Sequence, residues 1–290
     1  MAGTIRVVSW NMGHQTDAWR TLSDTEADIA LLQEAVAPPP DVASHVEVDP
    51  GPWLTEASPT PRTFRAAIAR LSDRVRMHPR PTAALARSSD DEVPVRVSRL
   101  GTVALADIEV LGTGELITVA SVYGLWERPS PTVKSSWIYA DASVHRVLSD
   151  LSALIGHEAL GPLLVAGDLN ILHGYGERGS DYWKRRYSTV FDRAEALGLV
   201  YMGPAAPGGG QRASPHPAEL PLESLDVPTL RTQPSDPTSA QRQLDFVFAS
   251  RVLTSRMTVR ALNSKPDWGT GDHCRISIEL AACQGAGGAA

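Results

Sequence analysis

The sequence predicts an α/β fold in which mixed β-sheets pack together with helices on the outside, in one domain. Three observations carry this expectation. Short apolar runs of strand length outnumber stretches with helical periodicity. Hairpin patterns alternate with helices placed to cross between strands. No change of composition marks a linker, and 290 residues that are 42% hydrophobic can bury a sizeable core.

Taken in order, Ile5 to Trp10 is apolar and β-rich, a buried strand. Residues 17–26 read as a short helix. Asp28 to Gln33 holds Ile29-Ala30-Leu31-Leu32, a second strand. Ser44 to Pro61 carries several prolines and reads as loop. Phe64 to Leu71, Arg74 to His78 and Val95 to Ser98 follow as strands. Thr102 to Tyr123 is a hairpin around Gly112-Thr113-Gly114-Glu115. Between 136 and 156, Trp137, Ala140, Val144, Val147, Leu148, Leu151, Leu154 and Ile155 recur at spacings of three and four, which predicts a helix. Leu163 to Ala166 is a buried strand running into Gly167-Asp168. A second helix is expected from Ser188 to Leu197, stopped by Gly198. Gly203 to Ala240, rich in Pro, Gly and Ser, reads as one long loop, functional or mobile. Leu244 to Ala249, Met257 to Leu262 and Arg275 to Leu280 complete the strands. Residues 1–282 are expected to form the domain, and 283–290, ending in Gly and Ala only, a disordered tail.

Bulk properties narrow the function. A net charge of -6 argues against a general polyanion binder, although a bound cation can supply positive charge that residue counting misses. Two cysteines in so long a chain do not make a disulfide scaffold. The start, Met1-Ala2-Gly3-Thr4-Ile5-Arg6, lacks the pattern of a signal peptide, and no apolar run reaches the ~20 residues of a membrane span. A cytoplasmic monomer is the resulting expectation.

The polar residues that could carry chemistry sit just past apolar strands: Asn11, Glu34, Tyr123, Asp168 with Asn170, and Asp272-His273 before the last strand. Such ends are where α/β folds place ligand sites. Taken singly, each reads as a turn former, a helix cap or a packing residue. Asp245 is different, because a carboxylate flanked by Leu244, Phe246, Val247 and Phe248 is buried and needs a partner, for which His273 is the candidate. Together they form an oxygen-rich set suited to Mg²⁺ or Mn²⁺ rather than structural zinc. No dinucleotide fingerprint, P-loop or nucleophile elbow competes.

Ser9-Trp10-Asn11, Leu32-Gln33-Glu34, Val122-Tyr123, Gly167-Asp168-Leu169-Asn170, Leu244-Asp245-Phe246 and Gly271-Asp272-His273 occur in one order along the chain. In that order they resemble the motif set of the endonuclease/exonuclease/phosphatase superfamily, nearest to its exonuclease III and apurinic endonuclease branch. The resemblance implies a DNase I-like four-layer sandwich, two packed mixed sheets flanked by helices, and a metal-dependent phosphodiester hydrolase. It further implies Glu34 as principal metal ligand with Asn11 and Asp272 close by, and Asp168 as the residue that aligns or deprotonates the attacking water. By the same resemblance Asn170 bonds nucleophile and phosphate, His273 contacts the scissile phosphate while Asp245 orients it, and Tyr123 stands beside the phosphate. One departure is Gly13, where that branch often carries an acidic residue.

The substrate is less legible. Tyr182-Trp183-Lys184-Arg185-Arg186-Tyr187 interleaves aromatic and basic residues, so Lys184 and Arg185 are candidates for gripping a phosphate backbone, weighed against a basic start to the following helix. Arg242, three residues before Asp245, is a further candidate phosphate contact. A nucleic-acid substrate leads, a small or lipid-linked phosphate ester such as an inositol phosphate comes second, and an inactive interaction module third.

Overall fold

Along the first strand Ile5 and Val7 face one way and Val8 and Trp10 the other, and all four are buried. A strand covered on both faces belongs in the middle of a layered structure. The computed structural model describes residues 3–55, 61–85, 95–127, 139–155, 161–232, 236, 239–269 and 271–283. Its strands are β1 Thr4–Asn11, β2 Ile29–Ala35, β3 Glu47–Val48, β4 Arg65–Arg70, β5 Val75–Arg80, β6 Thr82–Ala84, β7 Val95–Val97, β8 Val103–Val110, β9 Glu115–Tyr123, β10 Leu163–Asp168, β11 Leu199–Gly203, β12 Leu230–Arg231, β13 Ala240–Arg242, β14 Asp245–Ser250, β15 Met257–Leu262 and β16 Arg275–Ala281. The α-helices are α1 Ala18–Ser23, α2 Pro40–Ala43, α3 Ala140–Ser152, α4 Asp181–Ala196 and α5 Arg251–Thr254.

Two six-stranded mixed sheets result, in the orders β15-β16-β1-β2-β4-β3 and β11-β14-β10-β9-β8-β5. Each has one parallel pair, β1 with β2 and β9 with β10, between antiparallel neighbours. The inner faces meet in one core that includes Val7, Ile29, Leu31, Ile68, Ile108, Val119, Leu164, Val247 and Ile278. Helices α1 and α2 cover the outer face of the first sheet through Trp19, Leu22 and Val42 against Trp10 and Leu32. Helices α3 and α4 cover the outer face of the second through Val144, Leu148, Leu151, Tyr187 and Val190 against Leu105, Val165 and Phe246. This is the four-layer DNase I-like sandwich expected from the resemblance.

Several boundaries differ from the sequence reading. Helix α4 begins at Asp181, seven residues before the expected start. The run 182–187 is therefore its opening two turns, with Tyr187 and the partly buried Trp183 packed on the outer core. The helix read over 136–156 is described from Ala140 to Ser152, and 136–138, with Trp137, lie outside the described residues. The stretch read as one loop from Gly203 to Ala240 is interrupted: Gly203 ends β11, and Leu230–Arg231 forms β12, paired with β13, which begins at Ala240. Residues 204–229 carry no helix or strand but are anchored, with Val227 N donating to Gln243 Oε1 at 2.8 Å and Asn263 Nδ2 reaching Gln211 O and Pro228 O at 2.9 Å each. Of the expected tail, 284–290 lie outside the described residues. Among the described residues no helix is long and apolar enough to cross a membrane.

Candidate active site

Parallel pairing fixes where the polar residues land. Strands β1, β2, β9 and β10 all end at the same edge of the sandwich, and β14, antiparallel to β10, begins there. Asp168 therefore sits in register with Tyr123 on one side and with Asp245 on the other. Gly167 makes this packing possible: a Cβ there would lie 1.8 Å from the Val122 carbonyl oxygen, so only glycine fits.

Side chains from the two sheets meet across the seam. Asn11 Nδ2 of the first sheet donates to Asp168 Oδ2 of the second at 2.8 Å. Asn170 adds its backbone N–H to Asp168 Oδ1 at 2.8 Å and its amide to Oδ2 at 3.1 Å. Tyr123 OH donates to Glu34 Oε1 at 2.6 Å. Beneath them Gln33 Nε2 reaches Ser121 Oγ at 2.9 Å, a buried bond that holds the sheets in alignment under the site.

The third strand end brings His273. Its Nδ1 lies 2.8 Å from Asp245 Oδ2 and its Nε2 is 3.8 Å from Asp168 Oδ2. The burial expected for Asp245 is observed, and so is its partner. Trp10 Nε1 donates to the His273 carbonyl at 3.2 Å, and Thr229 Oγ1 accepts from the N–H groups of Leu244 and Asp245. Trp10 and Thr229 thus fix the backbone on both sides of the pair, roles that a single sequence does not mark.

Electrostatics follow from this crowding. Burial drives the Asp168 carboxyl up to about 7; Asp245 and Glu34 add to the rise, while His273 and the Asn11 amide oppose it. Burial disfavours a charged ring at His273, but Asp245 and Asp168 outweigh it and lift the imidazole to about 10. Burial, with Glu34 and Asp168 nearby, pushes the Tyr123 phenol well above its ordinary value, so it stays a donor. A carboxylate near 7 beside a charged imidazole is the pairing that general acid–base chemistry needs at neutral pH.

Glu34 is held differently. It lies at a register shift of β2 between Leu32 and Ala35, with φ +48°. Its Oε2 is 3.0 Å from His14 Nε2, a neighbour not singled out in the sequence. Asn11 Oδ1 accepts from Gly13 N at 2.9 Å, and a Cβ on Gly13 would lie 3.4 Å from Asp272 Oδ1, so Asn11 and Asp272 flank one glycine. Among the described residues no group of three or more His, Cys, Asp or Glu side chains is arranged to hold a metal ion by itself. The donors fit an ion that takes one or two carboxylates and fills its other positions with water and substrate oxygens, as Mg²⁺ does.

The structure does not bring the three basic candidates into this cluster. Arg242 Nη1 lies 3.0 Å from Glu177 Oε2, in the wall of a cavity of about 400 Å³ that also touches Asn170, Trp126, Tyr187 and Glu219. Lys184 and Arg185 lie on the exposed face of α4; Lys184 lines a separate cavity with His173 and Asp226, and Arg185 Nε bonds the Asp181 carbonyl. For Lys184 and Arg185 the reason is the early start of α4, which makes 182–187 the opening turns of a packed helix.

Residues 8–273 match the model of a family described as the Endonuclease/Exonuclease/phosphatase family. No curated protein matches. Solved structures of the same fold include the AP endonuclease LMAP from Leishmania major, 15% identical over 97% of this chain and 88% of that one, at a TM-score of 0.59. The catalytic domain of Xenopus laevis APE2 is 16% identical over 96% and 94%, at 0.58. The endonuclease domain of TRAS1, a telomere-specific non-LTR retrotransposon, is 17% identical over 96% and 98%, at 0.56.

Proposed function

Because the chain belongs to the endonuclease/exonuclease/phosphatase family, we propose that it is a divalent-metal-dependent phosphodiester hydrolase acting on nucleic acid. The observation that carries the reading is the buried Asp168, gripped by Asn11 and Asn170 and 3.8 Å from a His273 that is itself paired to Asp245.

In this reading Asp168 accepts the proton of the attacking water, for which a value near 7 suits it. The Asn170 amide, bonded to both Asp168 and the Gly124 carbonyl, is pre-set to orient water and phosphate. His273 keeps its proton through neutral pH and offers Nε2–H to a phosphate oxygen as negative charge grows there. Asp245 holds the ring by Nδ1 and so selects the protonated form. Glu34, with Asn11 and Asp272, would hold Mg²⁺ or Mn²⁺, whose chemistry when bound is Lewis-acid stabilisation of the phosphoryl oxygens. Tyr123 orients the Glu34 carboxylate from behind and remains a neutral donor beside the phosphate.

A second reading, a small or lipid-linked phosphate ester, is favoured by one observation. The net charge of -6 gives little long-range attraction for a polyanion, which suits a compact substrate better than a polymer. An inactive interaction module is the third, and it is disfavoured because Glu34, Asp168 and His273 are all present.

The test compares wild type with Asp168→Ala in Mg²⁺ or Mn²⁺, with an EDTA control. The substrates are plasmid, single-stranded, abasic-site and RNA polymers, bis-(p-nitrophenyl) phosphate and an inositol phosphate. Metal-dependent cleavage of a polymer, lost in the variant, is expected. Activity confined to the small esters would favour the second reading, and no hydrolysis of any would return the third.

A further inference from the structure

The contact between His14 and Glu34 is the least explained feature of the site. His14 Nε2 lies 3.0 Å from Glu34 Oε2. The ring is half exposed, and an exposed ion pair of this kind adds little stability. Yet the chain accepts unfavourable backbone at both partners to make it: φ is +61° at His14 and +48° at Glu34. Strain on both sides of one contact marks a functional constraint more often than a structural one. Gly13, at φ +53°, supplies the turn that doubles the chain back, and His14 N then bonds the Glu34 carbonyl at 3.2 Å. The ring packs on Phe64 with centroids 4.2 Å apart, so its aim at Glu34 is set by packing.

We propose that His14 is a nitrogen ligand of the metal ion that Glu34 holds, and that it biases the site toward a first-row transition ion such as Mn²⁺ over Mg²⁺. This rests on the reading of Glu34 as a metal ligand. His14 Nε2 and Glu34 Oε2 lie 3.0 Å apart, close enough for one bound cation to take both. Tyr123 occupies Glu34 Oε1, leaving Oε2 and the imidazole facing one another on the open side. Imidazole suits Mn²⁺ and its neighbours, whereas Mg²⁺ keeps to oxygen.

The experiment loads wild type, His14→Asn and Glu34→Gln with Mn²⁺ and records electron spin echo modulation, together with Mn²⁺ and Mg²⁺ affinities by calorimetry. Asn tolerates positive φ, so His14→Asn preserves the turn while replacing nitrogen by oxygen. Wild type is expected to show an imidazole nitrogen coupled to Mn²⁺. In His14→Asn that coupling disappears, the ion still binds, and the Mn²⁺ preference over Mg²⁺ falls about ten-fold. A nitrogen signal that persists in His14→Asn, or Mn²⁺ bound through Glu34 without one, overturns the assignment. Tighter binding of both ions in His14→Asn does so too, and makes His14 a lock on Glu34 instead. If Glu34→Gln binds Mn²⁺ as well as wild type does, the reading of Glu34 itself falls.

Discussion

His273 Nδ1 lies 2.8 Å from Asp245 Oδ2, with both side chains almost fully buried, and the second oxygen of that carboxylate, Oδ1, has no hydrogen-bond partner among the described residues. A buried carboxylate bonded mainly through one imidazole makes the charge state of the ring depend on it.

Asp245→Asn should therefore release the His273 proton. The folded value, lifted to about 10, should fall well below that, because Asp245 is the largest of the groups that oppose burial. Hydrolysis should drop at least about a hundred-fold at neutral pH. An imidazole NMR titration reads the shift directly, and a ring still charged at pH 8 in the variant would contradict it.

The pH dependence of stability tests Asp168. Its folded value is raised above the unfolded one, so its contribution to stability is greatest below the ordinary 3.8 and is lost as pH rises through about 7. For His273, also raised, the contribution is complete below the ordinary 6.5 and lost as pH rises through about 10. Asp168→Asn removes the first loss. The difference in Tm, variant minus wild type, should grow between pH 4 and pH 7 while activity is abolished. A difference that stays flat over that range would mean that Asp168 ionises in the fold as it does in water.

Tyr123→Phe deletes the 2.6 Å bond to Glu34 and leaves the ring contact with Phe64 in place. Metal affinity should fall about ten-fold, as for other groups that orient a ligand from behind. Calorimetry with Mn²⁺ measures this, and unchanged affinity would place Tyr123 outside the support of Glu34.

Gly167→Ala tests the backbone beneath the chemistry. The added methyl meets the Val122 carbonyl at 1.8 Å, so β9 and β10 must separate, at a cost of about 2–4 kcal/mol. Urea unfolding should show the loss, and a near-neutral effect would mean that the strands can part without harm.

The motif residues were legible because each lies at or beside one end of a buried strand, and strand ends are visible as apolar runs that start or stop. Asp245 could be assigned a partner from its apolar neighbours alone. Thr229 and Trp10 carried no such sign, since a threonine in a Pro-rich loop and a tryptophan in a strand are ordinary. The basic run 182–187 left two readings open, a phosphate grip or the start of the following helix, because charge and aromaticity look the same in both, and the structure shows the helix start. Its environment, with Arg186 between Asp141 and the rings of Tyr139, Tyr182 and Trp183, is tertiary.

By itself the sequence determined the layering, because continuous apolar runs of strand length are buried on both faces only in sheets covered on both sides, and it determined which side chains could share one edge. The tertiary structure decided which of them touch. Asn11 meets Asp168, Tyr123 meets Glu34 and Gln33 meets Ser121 across 157, 89 and 88 residues of chain. Those contacts depend on how two sheets align face to face, a relationship set by the packing of the whole core and not by any local pattern.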